Sequence, residues 1–130
     1  MKIGVLTFHR ARNFGGILQC YALVQYLNRC GYDVEVVDYV SKSIESTYSL
    51  IRTDGLKNFL RSLYKIRYSW NSRKLYRRFI LNNIPVSKRK YYSSEDFSGE
   101  YDLLLIGSDQ VWSKRINKGF DEIYWGNIMT

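Results

Sequence analysis

Apolar residues run almost without a break from Ile3 to Phe8, with only Gly4 and Thr7 between them, and such a run reads as a short buried strand central to a parallel sheet. A polar turn follows, from His9 to Gly16. Beyond it Leu18, Ala22, Leu23, Tyr26 and Leu27 recur at helical spacing, Asn13 stands where a helix wants an N-cap, and Gly31 supplies a stop. The next stretch, DVEVVDY from Asp33 to Tyr39, alternates and is rich in valine. The first 39 residues therefore spell strand, helix, strand at the length of a βαβ unit, whose crossover is expected to be right-handed.

No clear period runs through residues 41–53, which read as a surface connection. Leu56, Phe59, Leu60, Leu63, Ile66 and Trp70 then form a helical stripe, and Leu75, Tyr76, Phe79 and Ile80 form a second helical stretch. Pro85 ends it. Ser93 or Ser94 is placed to cap a short helical turn around Glu95 and Asp96. Tyr101–Ile106, YDLLLI, has the composition of a strand buried on both faces, and it breaks at a second polar turn, Gly107-Ser108-Asp109-Gln110. The aromatic-rich remainder, through Trp112, Phe120, Tyr124 and Trp125, offers no further strand. The pattern predicts an α/β chain with three parallel strands and flanking helices.

Composition adds one feature to that picture. A 130-residue chain with 45% apolar content has the size and core material of one ordinary domain. Its net charge of +8 is concentrated: residues 52–90 hold twelve basic side chains against Asp54 alone, and the rest is mildly acidic. Such a field attracts phosphates, an anionic membrane surface or nucleic acid, and charge alone does not choose among them. The bland account of the two basic helical stretches is a core-facing stripe with a solvated cationic face; the sharper one is a surface for anionic lipid or for a lipid-phosphate-linked substrate. Cys20 and Cys30, ten positions apart on one predicted helix, are not placed to form a disulfide. Neither a signal peptide nor a spanning helix is readable, which places the chain in the cytoplasm, at most peripheral to the inner face of the membrane.

Candidate chemistry gathers at the two polar turns, which follow strand ends, where open α/β sheets bind ligands. His9 is the single histidine and can serve as acid, base or anion ligand, but the sequence identifies no partner carboxylate, so structural and functional roles stay equally open. Asn13, Gly15 and Gly16 can present N–H groups to an anion at a helix start, and ordinary capping explains them almost as well. Gln19 lies one turn further along. Asp38, at the end of the second strand, raises a dinucleotide site, but H-R-A-R-N-F-G-G lacks the G-x-G-x-x-G pattern and that reading is set aside. Ser108, Asp109 and Gln110 put three hydrogen-bonding side chains in succession after a buried strand, which favours function over capping for Asp109. Trp112 reads more safely as core than as a sugar-stacking surface. No metal-ligand spacing, P-loop or G-x-S-x-G elbow is present.

Taken together and in order, LTFHRARNFGGILQCYAL, GYDVEVVDY and YDLLLIGSDQVW resemble the amino-terminal part of the polysaccharide pyruvyl transferase family, as does the approach FILNNIPVSKRKYYSSEDF to the last strand. The resemblance implies a cytoplasmic transferase that moves the pyruvyl group of phosphoenolpyruvate onto sugar hydroxyls as a ketal in making cell-surface polysaccharide. It implies a Rossmann-like parallel sheet resembling the first lobe of a two-lobed transferase of the GT-B type, with Asn13, Gly15, Gly16, Gln19, Ser108, Asp109 and Gln110 lining its side of a cleft. In that frame Asp109 is the catalytic candidate, accepting a proton from the attacking sugar, and His9 joins the substrate-binding set. Phosphoenolpyruvate is the donor substrate, with no separate cofactor and no metal, and a sugar or lipid-linked glycan is the acceptor.

Family members are considerably longer. The expectation is therefore an incomplete domain over 1–130, with a basic helical insertion at about 52–84, the second lobe absent, and no activity from the chain alone. Residues 52–90 are expected at most to contact anionic membrane, and no nucleic acid is expected. Two readings from other classes stand beside this one: a non-catalytic remnant of the fold, and a basic nucleic-acid-binding module.

Overall fold

The computed structural model describes residues 1–10, 13–41, 56–97, 100–107 and 109–128, with the side chains of 56–69 and 109 outside that description. The elements in chain order are β1 (Lys2–Leu6), α1 (Phe14–Arg29), β2 (Asp33–Tyr39), α2 (Leu56–Asn83), β3 (Val86–Tyr91) and β4 (Leu103–Ile106). Single 3-10 turns occupy Ser94–Phe97, Asp109–Trp112 and Glu122–Trp125. All four strands are parallel, in the order β3-β2-β1-β4. This is a Rossmann-like α/β arrangement, with one strand more than the sequence pattern predicts.

Direction of winding decides what covers each face. From β1 the chain steps outward through α1 to β2 and through α2 to β3, and two right-handed crossovers in the same direction put both helices on one face. Ile3, Val5, Val34 and Val36 meet Ile17, Cys20 and Val24 of α1 there, with Tyr76 and Ile80 of α2 packed against them. The chain then returns across the sheet to the far side of β1. A reversed crossover lies on the opposite face, and Leu6, Val37 and Tyr91 pack there against Phe97, Val111 and Tyr124 of the 3-10 turns. The period-2 alternation of β1 feeds both layers.

Several local expectations hold. Asn13 caps α1, its side-chain oxygen accepting from the Gly15 N–H at 3.0 Å. Gly31, at φ 85°, lets the chain leave the helix. Cys20 and Cys30 are both free, the first buried and the second exposed.

Others need correction. The buried stripe of α1 is Ile17, Cys20 and Val24, whereas Leu18, Ala22 and Tyr26 face outward, because this helix is apolar on two neighbouring faces and spacing alone does not rank them. The two predicted helical stretches of 56–80 are one continuous helix, α2. Strand β3 escapes the pattern since it is a sheet edge: Lys88, Arg89 and Lys90 are exposed, and such charges blunt an edge against unwanted pairing. Its register against β2 is irregular between Val36 and Asp38, where the Ser87 hydroxyl accepts the Asp38 N–H at 2.8 Å. Strand β4 is also an edge rather than a strand enclosed on both sides; Leu103 is 41% exposed, and among the described residues β4 pairs with β1 alone.

Close packing explains one glycine. A Cβ on Gly4 would lie 2.7 Å from Leu104 Cδ2 and 3.0 Å from the Tyr101 ring, whereas one on Gly107 meets nothing within 4 Å. Gly4→Val should therefore destabilise the fold by about 1–3 kcal/mol through overpacking, and Gly107→Ala should stay within about 0.5 kcal/mol. Urea unfolding of the two variants checks this; equal midpoints would contradict the packing assigned to Gly4.

Candidate functional site

The winding direction reverses at β1, and open sheets leave a crevice at such a point beyond the carboxyl ends of the strands. The β1 and β4 ends are joined there, since the Gly107 N–H donates to the Leu6 carbonyl at 3.0 Å. That bond extends the register pairing Leu6 with Ile106 and sets the strand ends from which the two polar turns start side by side. Val111, fully buried in the second core layer, anchors the turn after β4 from beneath.

The turn after β1 is held by a carboxylate from β2. His9 is 4% exposed, and its Nε2 donates to Asp38 Oδ1 at 2.9 Å while Nδ1 lies 3.3 Å from the Thr7 carbonyl. Arg10 grips the same carboxylate with two parallel bonds, Nε to Oδ1 at 2.7 Å and a terminal guanidinium nitrogen to Oδ2 at 2.9 Å. This fork is the strong geometry for an arginine and a carboxylate. Asp38 is thus the partner of His9 that local sequence does not reveal, because it lies 29 residues away along the chain. Its carboxylate is also turned inward to the protein, a second reason beyond the glycine pattern to set aside a ribose-binding role.

The predicted site residues distribute as follows. His9 is buried beneath the turn. Asn13, Gly15 and Gln19 are exposed on the first turns of α1, and Gly16 is half-buried beside them. The Gly15 N–H is taken by the Asn13 cap, so the anion-binding capacity of this helix start rests on the remaining first-turn donors, Phe14 and Gly16. Gln110 is exposed in the 3-10 turn that Asp109 begins. Ser108 and the Asp109 side chain lie outside the described residues. Trp112 is 45% exposed rather than core, with its indole N–H donating to the Tyr124 carbonyl at 2.8 Å. Arg10 was not among the predicted site residues, and the signal for it was only its position beside His9.

Burial alone would push the Asp38 carboxyl up, but the hydrogen bonds and charge of His9 and Arg10 outweigh it and hold the group well below the usual carboxylate range. A lowered carboxyl contributes stability that is fully present above its unfolded value of about 3.9 and is lost as pH falls toward the folded one. Acid titration of the native protein should therefore show stability declining below about pH 4. Asp38→Asn should remove about 3 kcal/mol at neutral pH and flatten that acid limb. An unchanged limb in the variant would mean that Asp38 does not hold the turn.

Compared with known protein families, residues 13–129 match the one described as polysaccharide pyruvyl transferase. Searches among curated proteins and among solved structures returned no match. The family match spans α1, all but the first strand of the sheet, and the turn after β4, so the chain belongs to the polysaccharide pyruvyl transferase family.

Proposed function

We propose that this chain forms one wall of the cleft of a transferase that moves a pyruvyl group from phosphoenolpyruvate onto a sugar as a cyclic ketal, in cell-surface polysaccharide synthesis on the cytoplasmic side of the membrane. The observation that carries the reading is the family match over residues 13–129, together with the Gly107–Leu6 bond that sets the ends of β4 and β1 side by side at the sheet's switch point. In the two-lobed arrangement that the reading adopts, a second lobe faces this edge and supplies the donor's cationic clamp.

The chemistry balances with two sugar hydroxyls and one donor. One hydroxyl adds to C2 of the enol phosphate while C3 takes a proton, and the second hydroxyl then forms another C2–O bond as the C2–O bond to phosphate breaks. Inorganic phosphate leaves. Asp109, at the first position of its turn, is the group we assign to accept a hydroxyl proton, and the donors of the α1 start serve the donor's carboxylate or phosphate.

The acceptor in this reading is lipid-linked, and α2 supports it. Trp70, Lys74, Arg77, Arg78 and Leu81 recur on the face of α2 opposite Tyr76 and Ile80, and all five are exposed. Basic side chains mixed with Trp and Leu on one stripe suit the surface of an anionic bilayer. No helix among the described residues is long and apolar enough to cross a membrane.

Two measurements follow. In the protein expressed from its native reading frame, Asp109→Asn should slow phosphoenolpyruvate-dependent ketal formation by about 100-fold with an unchanged circular dichroism spectrum; full turnover would take Asp109 out of the mechanism. Sedimentation with vesicles should show binding to phosphatidylglycerol-containing bilayers that weakens with salt and falls in Arg77→Glu/Arg78→Glu. Equal binding to neutral vesicles would argue against the electrostatic contact.

A further inference from the structure

A second cleft, of about 380 Å³, opens on the same carboxyl edge of the sheet, between the ends of β2 and β3 and the segment after β4. That volume is at the small end of ordinary ligand sites. Tyr92 and Phe120 flank it with rings 61% and 60% exposed, and Phe120 is steadied by stacking on Trp125 at 5.5 Å between ring centres. Two carboxylates border it. Asp121 accepts from the Tyr39 hydroxyl at 3.1 Å and from the Ser41 hydroxyl at 3.2 Å, and Glu122 accepts from the Asn127 amide at 2.7 Å.

Asn117 lines the same cleft and is 8% exposed. Its Nδ2 donates to the Val111 carbonyl at 2.6 Å, which fixes the orientation of the amide and ties the cleft to the turn that Asp109 begins. Its Oδ1 is buried and has no hydrogen-bond partner among the described residues. An unpaired buried acceptor of this kind is costly, and native structures seldom leave one without a donor from water or ligand. With the two carboxylates, this oxygen makes the site rich in acceptors for a ligand's hydroxyl groups.

The charge of the cleft is opposite to that of the chain. Among its described lining residues there is no lysine, arginine or histidine, in a protein of net charge +8. Phosphoenolpyruvate, an anion at both ends, is excluded by Asp121 and Glu122. The complementary ligand is uncharged, has several hydroxyl donors and has an apolar ring face for the aromatic flanks.

We propose that this cleft is the subsite for the pyranose ring of the hydroxyl acceptor, its apolar face against Phe120 and Tyr92 and its hydroxyls donating to Asn117 Oδ1, Asp121 and Glu122. This rests on the transferase reading and gives it a specificity site: the cleft selects the acceptor by hydroxyl pattern while the basic surfaces of the chain are left to anionic groups.

The test is saturation-transfer NMR on the native-frame protein without phosphoenolpyruvate, using a panel of methyl pyranosides, with phosphoenolpyruvate and tetramethylammonium as competitors. Saturation of at least one pyranoside is expected, with affinity falling about tenfold in Phe120→Ala and in Glu122→Gln, a loss of about 1.4 kcal/mol. Both side chains are exposed, so the fold should survive, and amide spectra check it. Pyranoside binding that neither variant weakens overturns the subsite and leaves the transferase reading intact, as does displacement by either competitor. Absence of binding by every pyranoside overturns it too. Binding lost in both variants, from a protein with no phosphoenolpyruvate-dependent transfer, upholds the subsite and removes the transferase reading.

Discussion

Strand β1 is hydrogen-bonded along both edges, to β2 on one side and β4 on the other, and it feeds side chains into both layers of the core. Its place in the middle of the sheet means that the chain must wind away from it in one direction and come back to its other side. The layering of the fold follows from that reversal. It separates the helical layer from the layer of 3-10 turns, and it opens the crevice where the turns after β1 and β4 meet. A parallel sheet wound one way throughout would stack its strand ends without such a gap.

Charge is used differently on the two sides of this edge. Beneath the β1 turn, the Asp38 carboxylate is enclosed and answered by His9 and the Arg10 fork, so its cost of burial is offset and the turn gains a fixed shape. In the second cleft, Asp121 accepts from the Tyr39 and Ser41 hydroxyls and Glu122 from the Asn127 amide. The helix α2 and the edge strand β3 carry exposed positive charge.

Elements whose order is local were readable from the sequence. The run Ile3–Phe8, the Asn13 cap, the valine alternation of β2 and the apolar run before Gly107 each carry their own signature, and the structure has them. Strand β3 was not readable, because at an edge the positions facing solvent take lysine and arginine and the period-2 signal disappears. Spacing does not fix the inward face of α1, since Leu18 and Tyr26 are as apolar as Ile17 and Val24, and only the sheet beneath decides between them. Contacts that join distant segments left no local trace: the partner of His9 is Asp38, and Asn117 and Asp121 acquire meaning only when β2 and β3 end beside them. Polar turns after apolar runs located the two turns in the sequence, and the β1–β4 pairing shows their strand ends to be neighbours.

If the carboxyl edge of this sheet is the working edge, ligands must be felt there and nowhere else. The most direct measurement is an amide correlation spectrum of the protein titrated with phosphoenolpyruvate and with a methyl pyranoside. Shifts confined to the residues around 9–19, 38–41, 92–94 and 107–124 are the result predicted. Shifts concentrated at the opposite edge, around Met1, Gly31–Asp33 and Asp102, would contradict the account.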